Sequence, residues 1–348
     1  MITIAHLMDD FGMGGVTRAL TLFEEPMIKR QAHSQVVAVK AGTQFAPRLD
    51  ADLIVDHATI SWSRLPFLVS LRARNPKARI VHVEHSYTRA FEQNEVNAKR
   101  RFRTLLRMAA SLFDDILCVS DAQRNWLFSE VGIARTKLRV IYPWTDRTDL
   151  FTVPVAKPRG KRPLKLLAYG RFAKVKNFGE LIAAMRAFDP AEVELTVFGD
   201  GPDRAELETL AADLPHVQVH GPCPEPGDYL KTCDAVIIPS RYEAFGLVAT
   251  EARMAARPVI AADVDGLPEQ AGIGGRVAPL GIAEDIAKAI GWAIKADLPQ
   301  LGMAARLGVK SQHTQILRRW SQLIEEVETA RFHRTAAKNA AVWGGAAA

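Results

Sequence analysis

Two glutamates eight positions apart, Glu243 and Glu251, stand out for the chemistry that their surroundings allow. The apolar run 234–240 before them ends at a proline and is typical of a buried parallel strand followed by a loop. The run 246–254 is rich in helix-forming residues, so Glu243 falls in the loop and Glu251 inside the helix. Glutamates at this spacing also occur on solvated helices, which is the alternative interpretation.

The predicted helix start lies between the two glutamates. It comprises Phe245, Gly246 and Leu247, whose free backbone N–H groups and positive dipole end would favour an anion. A ligand with a phosphate held there and hydroxyl-rich groups at both ends would reach both carboxylates. The sequence therefore predicts a site for a sugar nucleotide.

A second set of candidate phosphate ligands follows the predicted strand 164–169. Gly170 and Arg171 form a turn there, and Lys176 lies five positions after the arginine. Fixed arginine and lysine cations bind phosphate oxygens through charge-assisted hydrogen bonds. These two cations would neutralise a nucleoside diphosphate without help, so we expect no metal ion or other cofactor.

A histidine at the end of a predicted strand is the candidate for contact with the reacting group. His85 follows the strand 79–84, and ligands of open α/β sheets gather at the carboxyl ends of strands. A histidine satisfied by loop backbone is the alternative. His82 lies three positions earlier, so the two side chains are expected on opposite faces and form no zinc pair.

A glycine turn, with Gly14 and Gly15 at its centre, follows the first predicted strand. Glycines there would let the backbone approach a ligand closely. A dinucleotide-binding fingerprint is a poor match, because its third glycine position holds Thr17 and the second strand ends in Lys40 instead of an acid. The turn therefore argues against a dehydrogenase.

Together these motifs resemble those of the retaining GT-B glycosyltransferases of family 4, also called group 1. The resemblance spans most of the chain and rests on ordered motifs: Gly14-Gly15, Arg171 with Lys176, 199–201, Glu243 with Glu251, and 266–269. It implies two Rossmann-like, doubly wound α/β domains facing a cleft, with the donor bound mostly by the second. The chain departs from the family pattern at Thr17, where an acid is common, and at Ala244 and Asp265, where glycine is common.

The resemblance also implies roles for the matched residues. Glu243 contacts the donor sugar, Glu251 holds the ribose, and His85 lies near the reacting sugar. The implied donor-binding residues are Gly14, Gly15, Gly170, Arg171, Lys176, Glu243, Ala244, Phe245, Gly246, Leu247 and Glu251. The implied catalytic residues are His85, Glu243, Arg171 and Lys176. The implied nucleobase-facing residues are His220, Gly221 and Pro222.

Length and composition suit two domains. The chain has 348 residues, of which 48% are hydrophobic, and this is enough for two cores of ordinary size. No apolar run approaches the ~20 residues that span a bilayer, and the first residues lack the features of a signal peptide. The three cysteines are expected to be free, buried thiols in a cytoplasmic protein.

Positive charge is concentrated in the first half of the chain. Residues 60–110 contain eleven lysines and arginines against three acids, an excess of +8 compared with +6 for the whole chain. This excess favours an anionic partner, either a membrane surface reached through the basic amphipathic helix 95–110 or a phosphorylated acceptor. A solvated outer helix is the alternative. Nucleic acid is not expected, because aromatic interleaving and recognised nucleic-acid modules are missing.

We expect an N-terminal acceptor-binding domain and a C-terminal domain that binds the nucleotide sugar. The proline-rich segment between them has the composition of a linker. A late amphipathic helix is expected to pack across the domain junction, and the alanine-rich end is expected to be disordered. The predicted boundaries are 1–152 and 164–308 for the domains, 153–163 for the linker, 309–332 for the helix and 333–348 for the tail.

The predicted reaction moves a sugar, with retention of anomeric configuration, from a nucleoside diphosphate sugar to a glycan or lipid-linked acceptor. UDP is the preferred nucleotide. Such reactions build cell-surface polysaccharides, lipopolysaccharides and glycolipids, so we expect a cytoplasmic enzyme that attaches peripherally to the inner face of the membrane. Two alternatives stay open: a sugar-nucleotide epimerase of the GT-B type, and a catalytically silent scaffold that binds nucleotide sugars.

Overall fold

Twelve strands form two parallel sheets in the part of the chain that the computed structural model describes, residues 1–9, 19–40, 42–223 and 225–344. The chain divides into two units. The first contains Met1–Ser86, Val96–Asp146 and the chain from His313 onward, and the second contains Tyr87–Glu95 and Arg147–Gln312. Each unit has one sheet with its helices, which confirms the predicted doubly wound α/β class.

The elements have the following bounds. The first sheet contains β1 (Ile2–Met8), β2 (Ala32–Ala38), β3 (Leu53–Asp56), β4 (Arg79–Glu84), β5 (Asp115–Cys118) and β6 (Leu138–Val140). The second contains β7 (Leu164–Tyr169), β8 (Val193–Phe198), β9 (Val217–His220), β10 (Ala235–Ile238), β11 (Val259–Ala262) and β12 (Arg276–Ala278). The α-helices are α1 (Pro26–Lys29), α2 (Leu65–Arg74), α3 (Arg89–Glu95), α4 (Lys99–Leu112), α5 (Asp121–Trp126), α6 (Phe178–Ala184), α7 (Arg204–Ala211), α8 (Pro226–Thr232), α9 (Leu247–Met254), α10 (Leu267–Ala271), α11 (Ala283–Lys295), α12 (Leu298–Val309) and α13 (Gln312–Gly344).

The first sheet has the strand order β2-β1-β3-β4-β5-β6, and its neighbouring strands are parallel. Strands β3 and β5 are buried at every residue, as expected for central strands that are covered on both faces. Their neighbour β4 pairs with both, so the ends of β3 and β4 lie side by side. This arrangement brings Asp56 and His57 close to the residues that end and follow β4.

The second sheet has the order β12-β11-β10-β7-β8-β9 and is also parallel. The apolar runs of β7, β8 and β10 form its buried centre. The edge strand β12 is not predicted by the sequence, because it has three residues and two of them, Arg276 and Val277, are exposed. The carboxyl ends of β7 and β10 carry the residues of the candidate site.

The segment 153–163, predicted as a linker, belongs to the second unit, since the units divide between Asp146 and Arg147. Val153 is buried, and its carbonyl accepts a hydrogen bond from the Arg306 guanidinium. The next carbonyl, that of Pro154, accepts one from Arg257 Nη1 at 3.0 Å. Composition indicated a linker because it does not reveal these arginines, which lie far along the chain.

Helix α13 continues to Gly344, so the disorder predicted from residue 333 is not observed up to that point. Its buried face consists of Ile316, Trp320, Leu323, Ile324 and Val327, and the Trp320 ring lies 5.0 Å from the Phe23 ring. This face therefore packs within the first unit. Alanine-rich sequence is the best helix former, so the helix extends beyond its last buried residue.

The predicted basic helix is observed as α4, and its apolar face is buried in the first unit through Leu105, Leu106 and Ala109. For its apolar face, α4 is therefore an outer helix packed on the first unit, as the alternative interpretation has it. Exposed basic side chains, such as those of Lys99 and Arg100, remain on the other side. Within the described residues, every helix is too short or too polar to cross a lipid bilayer.

Candidate functional site

The loop between β10 and α9 has the predicted strand–loop–helix form. Helix α9 begins at Leu247, immediately after Gly246, whose φ of +94° is in the left-handed region. The left-handed conformation favours glycine, and a Cβ on Gly246 would lie 2.6 Å from Leu267 Cδ2, so the buried Leu267 side chain would have to shift. The turn directs the first N–H groups of α9 towards the loop that carries Glu243, which is the predicted place for a phosphate.

Lys176 and Glu243 form an ion pair between Nζ and Oε2. The side chains are 22% and 20% exposed, so the pair is accessible to a ligand. Ser240 Oγ donates to the same carboxylate oxygen at 3.4 Å. The sequence assigned the cation to the diphosphate and the carboxylate to the sugar, and the structure brings these two groups into direct contact.

Arg171 occupies the turn between β7 and the short 3-10 segment that ends at Lys176. Its side chain is exposed, and it makes no hydrogen bond or ion pair with any residue in the described ranges. The two cations predicted to bind the diphosphate, Arg171 and Lys176, therefore differ in their contacts with the protein. Lys176 is held by a carboxylate, whereas the Arg171 guanidinium is available to an anion.

Glu251 lies inside α9, as predicted, and is only 4% exposed. Its Oε2 accepts a hydrogen bond of 2.7 Å from the hydroxyl of Tyr169 at the end of β7. Burial, followed by the charge of Glu251, raises the pKa of Tyr169 well above its ordinary value, so the phenol stays protonated and keeps donating. Tyr169 thus orients the carboxylate, a role that its place before Gly170 and Arg171 could have indicated.

The residues after β8 pack against the turn that follows β7. Phe172 N donates to the Asp200 carbonyl at 2.8 Å, and Asp203 N donates to the Phe172 carbonyl at 3.1 Å. A Cβ on Gly199 would overlap the Gly170 carbonyl oxygen. This close backbone approach fixes the shape of the turn that carries Arg171.

In the first unit, His85 lies at the end of a row of three hydrogen-bonded histidines. His57 Nδ1 is 3.1 Å from His85 Nε2, and His57 Nε2 is 3.0 Å from His6 Nδ1. Burial lowers the pKa of His85 to about 4 and that of His57 well below its ordinary value. Burial also lowers the pKa of His6, to about 3. All three rings are therefore neutral at neutral pH.

The histidine row restricts how His85 can meet a ligand. A neutral imidazole has one N–H and one acceptor nitrogen, so the direction of one hydrogen bond in the row sets the direction of the other. Nε2 of His85 is already used by His57, so a ligand of this side chain would have to bind Nδ1. The sequence did not reveal His57 and His6 as partners, because His6 lies on β1 and His57 follows β3, so they meet only in the folded sheet.

His82 faces away from this row and joins a buried charge cluster. Its Nδ1 lies 3.2 Å from Asp56 Oδ2, its Nε2 lies 3.5 Å from Glu84 Oε2, and Arg64 donates to Asp56 Oδ1 at 2.5 Å. Burial lowers the pKa of His82, but the hydrogen bonds to Asp56 and Glu84 outweigh it and raise the pKa to about 9. His82 is therefore charged at neutral pH, and its pairing with Asp56 and Glu84 stabilises the folded protein.

This cluster predicts a loss of stability at alkaline pH. The His82 pKa is about 9 in the folded protein and 6.5 for the ordinary side chain. Its stabilisation is fully present below the lower value and is lost as the pH rises through the higher one. Urea unfolding at several pH values between 6 and 10 should show the stability gap between wild type and His82→Gln narrowing. A gap that stays constant or widens with pH would contradict the assignment.

The remaining predicted residues have diverse settings. Gly14 and Gly15 lie outside the described residues. Phe245 is buried, and Ala244 precedes it in the loop before α9. The predicted nucleobase residues follow β9: His220 Nε2 lies 3.2 Å from Gln218 Oε1, and Gly221 and Pro222 continue the chain beyond the strand. The structure leaves their role as a prediction.

Side chains that could bind a metal ion are dispersed over the part of the chain that the structure describes. Within residues 1–9, 19–40, 42–223 and 225–344, no three His, Cys, Asp or Glu residues are grouped to hold an ion. The sequence has two Asp-x-Asp pairs, at 50–52 and 263–265, and the second aspartate of each has protein partners. Asp52 accepts from Thr3 N at 3.1 Å and from Arg331 at 2.9 Å, and Asp265 accepts from Thr88 at 2.7 Å.

Two family descriptions match the chain, and they follow its two halves. Glycosyltransferase Family 4 matches residues 23–149, and Glycosyl transferases group 1 matches residues 163–296. The first covers most of the sheet that contains β1 to β6. The second covers the strands and loops that carry Lys176, Glu243 and Glu251.

Curated relatives match part of the chain. A D-inositol 3-phosphate glycosyltransferase 1 of Catenulispora acidiphila is 32% identical over 187 residues, which cover 46% of this chain and 44% of that protein. An uncharacterised 41.2 kDa protein from a cps region of Klebsiella pneumoniae is 24% identical over 63% of this chain and 62% of its own length. The match thus covers under half of the length of the first relative and about three fifths of the second.

Solved structures show the same fold over nearly the whole chain. Sucrose-phosphate synthase from Thermosynechococcus elongatus matches with a TM-score of 0.75 at 22% identity, over 95% of this chain and 100% of that one. Anabaena HepE in complex with UDP and glucose matches with a TM-score of 0.73 at 18% identity, over 94% and 100%. These similarities establish the GT-B fold.

Proposed function

The chain belongs to the group 1, family 4 glycosyltransferases, and we propose that it transfers a sugar from a nucleoside diphosphate sugar to a hydroxyl group of an acceptor, with retention of configuration. The observation that carries this proposal is the arrangement of Lys176, Glu243 and Glu251 around the start of α9. One cation, two carboxylates and a helix N-terminus match the charges and hydroxyls of a sugar nucleotide.

The residues of the second unit divide the work of binding the donor. The ammonium of Lys176, the guanidinium of Arg171 and the first N–H groups of α9 would bind the diphosphate. Glu251, oriented by Tyr169, would accept hydrogen bonds from the ribose hydroxyls, and Glu243 would accept them from the sugar. In this assignment, protein cations alone balance the charge of the diphosphate, and a metal ion is not needed.

Bond cleavage makes the diphosphate more negative, so its ligands act mainly in the transition state. The C1–oxygen bond breaks with its electron pair on the phosphate oxygen, and the acceptor oxygen bonds to C1 on the same face. The acceptor proton leaves with the diphosphate. Lys176 and Arg171 stabilise the charge that develops. His85 is assigned to the sugar by its place in the sequence pattern, and as a neutral imidazole it offers a hydrogen bond instead of a charge.

In this proposal the acceptor is a glycan or a lipid-linked molecule. The basic side chains that α4 leaves exposed would attract an anionic membrane surface or a phosphorylated acceptor. One similar protein is named a D-inositol 3-phosphate glycosyltransferase, and another comes from a cps region. UDP is the preferred nucleotide, and a structurally similar protein was crystallised with UDP and glucose. We place the enzyme in cell-surface polysaccharide, lipopolysaccharide or glycolipid synthesis, at the inner face of the membrane.

Acceptor-dependent release of nucleoside diphosphate tests this function. Purified protein is incubated with UDP-, GDP- and ADP-sugars, with and without membrane glycolipid extracts or sugar phosphates, and the anomeric configuration of the product is read by proton NMR. We expect release with one nucleotide class only when an acceptor is present, and a product of unchanged configuration. Conversion of the donor to an isomeric nucleotide sugar would instead identify an epimerase, and binding without any turnover would identify a silent scaffold.

A further inference from the structure

Asp265 is the centre of a hydrogen-bonded junction inside the second unit. Its Oδ2 accepts from the Thr88 hydroxyl at 2.7 Å and from the backbone N–H of Glu243 at 3.2 Å, and its Oδ1 accepts from Ala90 N at 3.0 Å. Thr88 and Ala90 belong to Tyr87–Glu95, which comes from the first half of the sequence but is part of the second unit. One carboxylate therefore joins two segments that are separated by about 150 residues of sequence.

The backbone conformation of Asp265 is one that glycine adopts more easily, so the contacts of the carboxylate are what aspartate adds at this position. Its φ is +46°, a left-handed conformation that glycine adopts at no steric cost and that aspartate tolerates at some cost. The next residue, Gly266, donates its N–H to the Glu243 carbonyl at 3.2 Å. Both backbone groups of Glu243 are thus held by residues 265 and 266, and the side chain of Asp265 supplies one of the two bonds.

The segment Tyr87–Glu95 also touches the same loop through aromatic rings. The Phe91 and Tyr242 rings meet edge to face with centroids 5.4 Å apart, and Tyr242 is adjacent to Glu243. Thr88 is fully buried, and its hydroxyl also accepts a 3.0 Å bond from Phe91 N. Burial raises the pKa of Asp265, whereas the bonds from Ala90, Thr88 and Glu243 lower it by favouring the charged form.

We propose that Asp265 is a positioning residue that fixes Glu243 through the segment Tyr87–Glu95, so that this segment sets the orientation of the sugar-binding carboxylate. The inference rests on the proposed role of Glu243 in holding the donor sugar. Asp265 itself touches no substrate. Its loss would displace Glu243 and leave the residues assigned to the nucleotide, Glu251 and Tyr169, in place.

The test compares Asp265→Gly with wild type, because glycine accepts the left-handed backbone and removes only the side chain. Asp265→Asn keeps one acceptor oxygen and should be intermediate. Thr88→Val, which keeps the volume of a buried side chain, removes the bond to Asp265 together with the bond from Phe91 N and should act in the same direction. Asp263→Asn is the matched control, since Asp263 is exposed in the same loop.

Amide hydrogen exchange, followed by mass spectrometry, measures the junction without any substrate. In Asp265→Gly, peptides covering 87–95 and 240–247 should exchange about tenfold faster. The N–H groups of Ala90 and Glu243 lose their carboxylate acceptor, so these segments open more often. Asp263→Asn should exchange like wild type. Unchanged exchange in both peptides would overturn the proposed junction, whether or not the protein proves to be a transferase.

Kinetics measure the consequence for Glu243. We expect kcat for sugar transfer to fall by about 10- to 100-fold in Asp265→Gly, as displaced catalytic groups do. The Kd for nucleoside diphosphate without a sugar should stay within twofold of wild type, which a general loss of structure would not allow. A kcat within twofold of wild type, or an equal loss in nucleotide affinity, would overturn the positioning role. A wild-type protein without nucleotide binding or transfer would contradict the proposed function instead.

Discussion

Replacing Lys176 with alanine is expected to lower kcat/KM for the nucleotide sugar by about 10²- to 10³-fold, the range seen when one stabilising donor is removed from an active site. The ammonium is positioned by Glu243 and lies after the turn that carries Arg171. It therefore needs little reorganisation when negative charge develops on the diphosphate. The fold should persist, because Glu243 is 20% exposed and water can solvate its carboxylate when the lysine is gone.

Lys174→Ala is the matched control for this prediction. Lys174 begins the same 3-10 segment and is exposed. Its removal should leave kcat/KM within twofold of wild type, since it lies at the surface. Steady-state kinetics of the two variants with one donor and one acceptor make the comparison. Equal effects of the two substitutions would show that only the general positive charge matters and would refute the assignment to Lys176.

Gly199→Ala is expected to destabilise the second unit by at least about 3 kcal/mol, which is large for a single methyl group. A Cβ at this position would overlap the Gly170 carbonyl oxygen, and it would also lie 2.8 Å from the Phe172 ring. Backbone and a buried aromatic ring cannot yield as a flexible side chain does. The added atom must therefore separate the two loops that carry Arg171 and Asp200.

Gly291→Ala provides the control for Gly199→Ala. Gly291 lies inside α11, and a Cβ there would meet no atom within 4 Å. Alanine is the better helix former by about 1 kcal/mol, so this variant should be more stable than wild type. Chemical unfolding followed by circular dichroism measures both changes. A Gly199→Ala variant within 1 kcal/mol of wild type would show that the two loops do not pack as described.

Sequence patterns predicted the sheets well, because buried parallel strands are continuous apolar runs. Strands β4 and β7 begin and end at the predicted residues. The edge strand β12 lacks such a run and was not predicted. The site residues Lys176, Glu243 and Glu251 were identified because each stands at a fixed distance from a strand end or helix start. Local spacing is visible in a sequence.

Contacts between distant segments were not predictable in the same way. Tyr169 was missed as the partner of Glu251, and His57 as the partner of His85, because the residues of each pair are far apart in the sequence. Asp265 was recognised only as a departure from the family pattern. Its purpose depends on Thr88 and Ala90, whose place in the second unit no local pattern reveals.

The most direct test of the central claim is a thermal-shift titration of wild type and Glu251→Gln with UDP, GDP and ADP. Bound ligand at 100 times its Kd should add about 2.7 kcal/mol to stability, which raises the unfolding temperature by several degrees. We predict such a shift for one nucleotide, with affinity reduced by about 10- to 100-fold in Glu251→Gln, where a charge-assisted hydrogen bond to the ribose is lost. Equal shifts in both proteins would place the nucleotide elsewhere. The absence of a shift with every nucleotide would contradict the account.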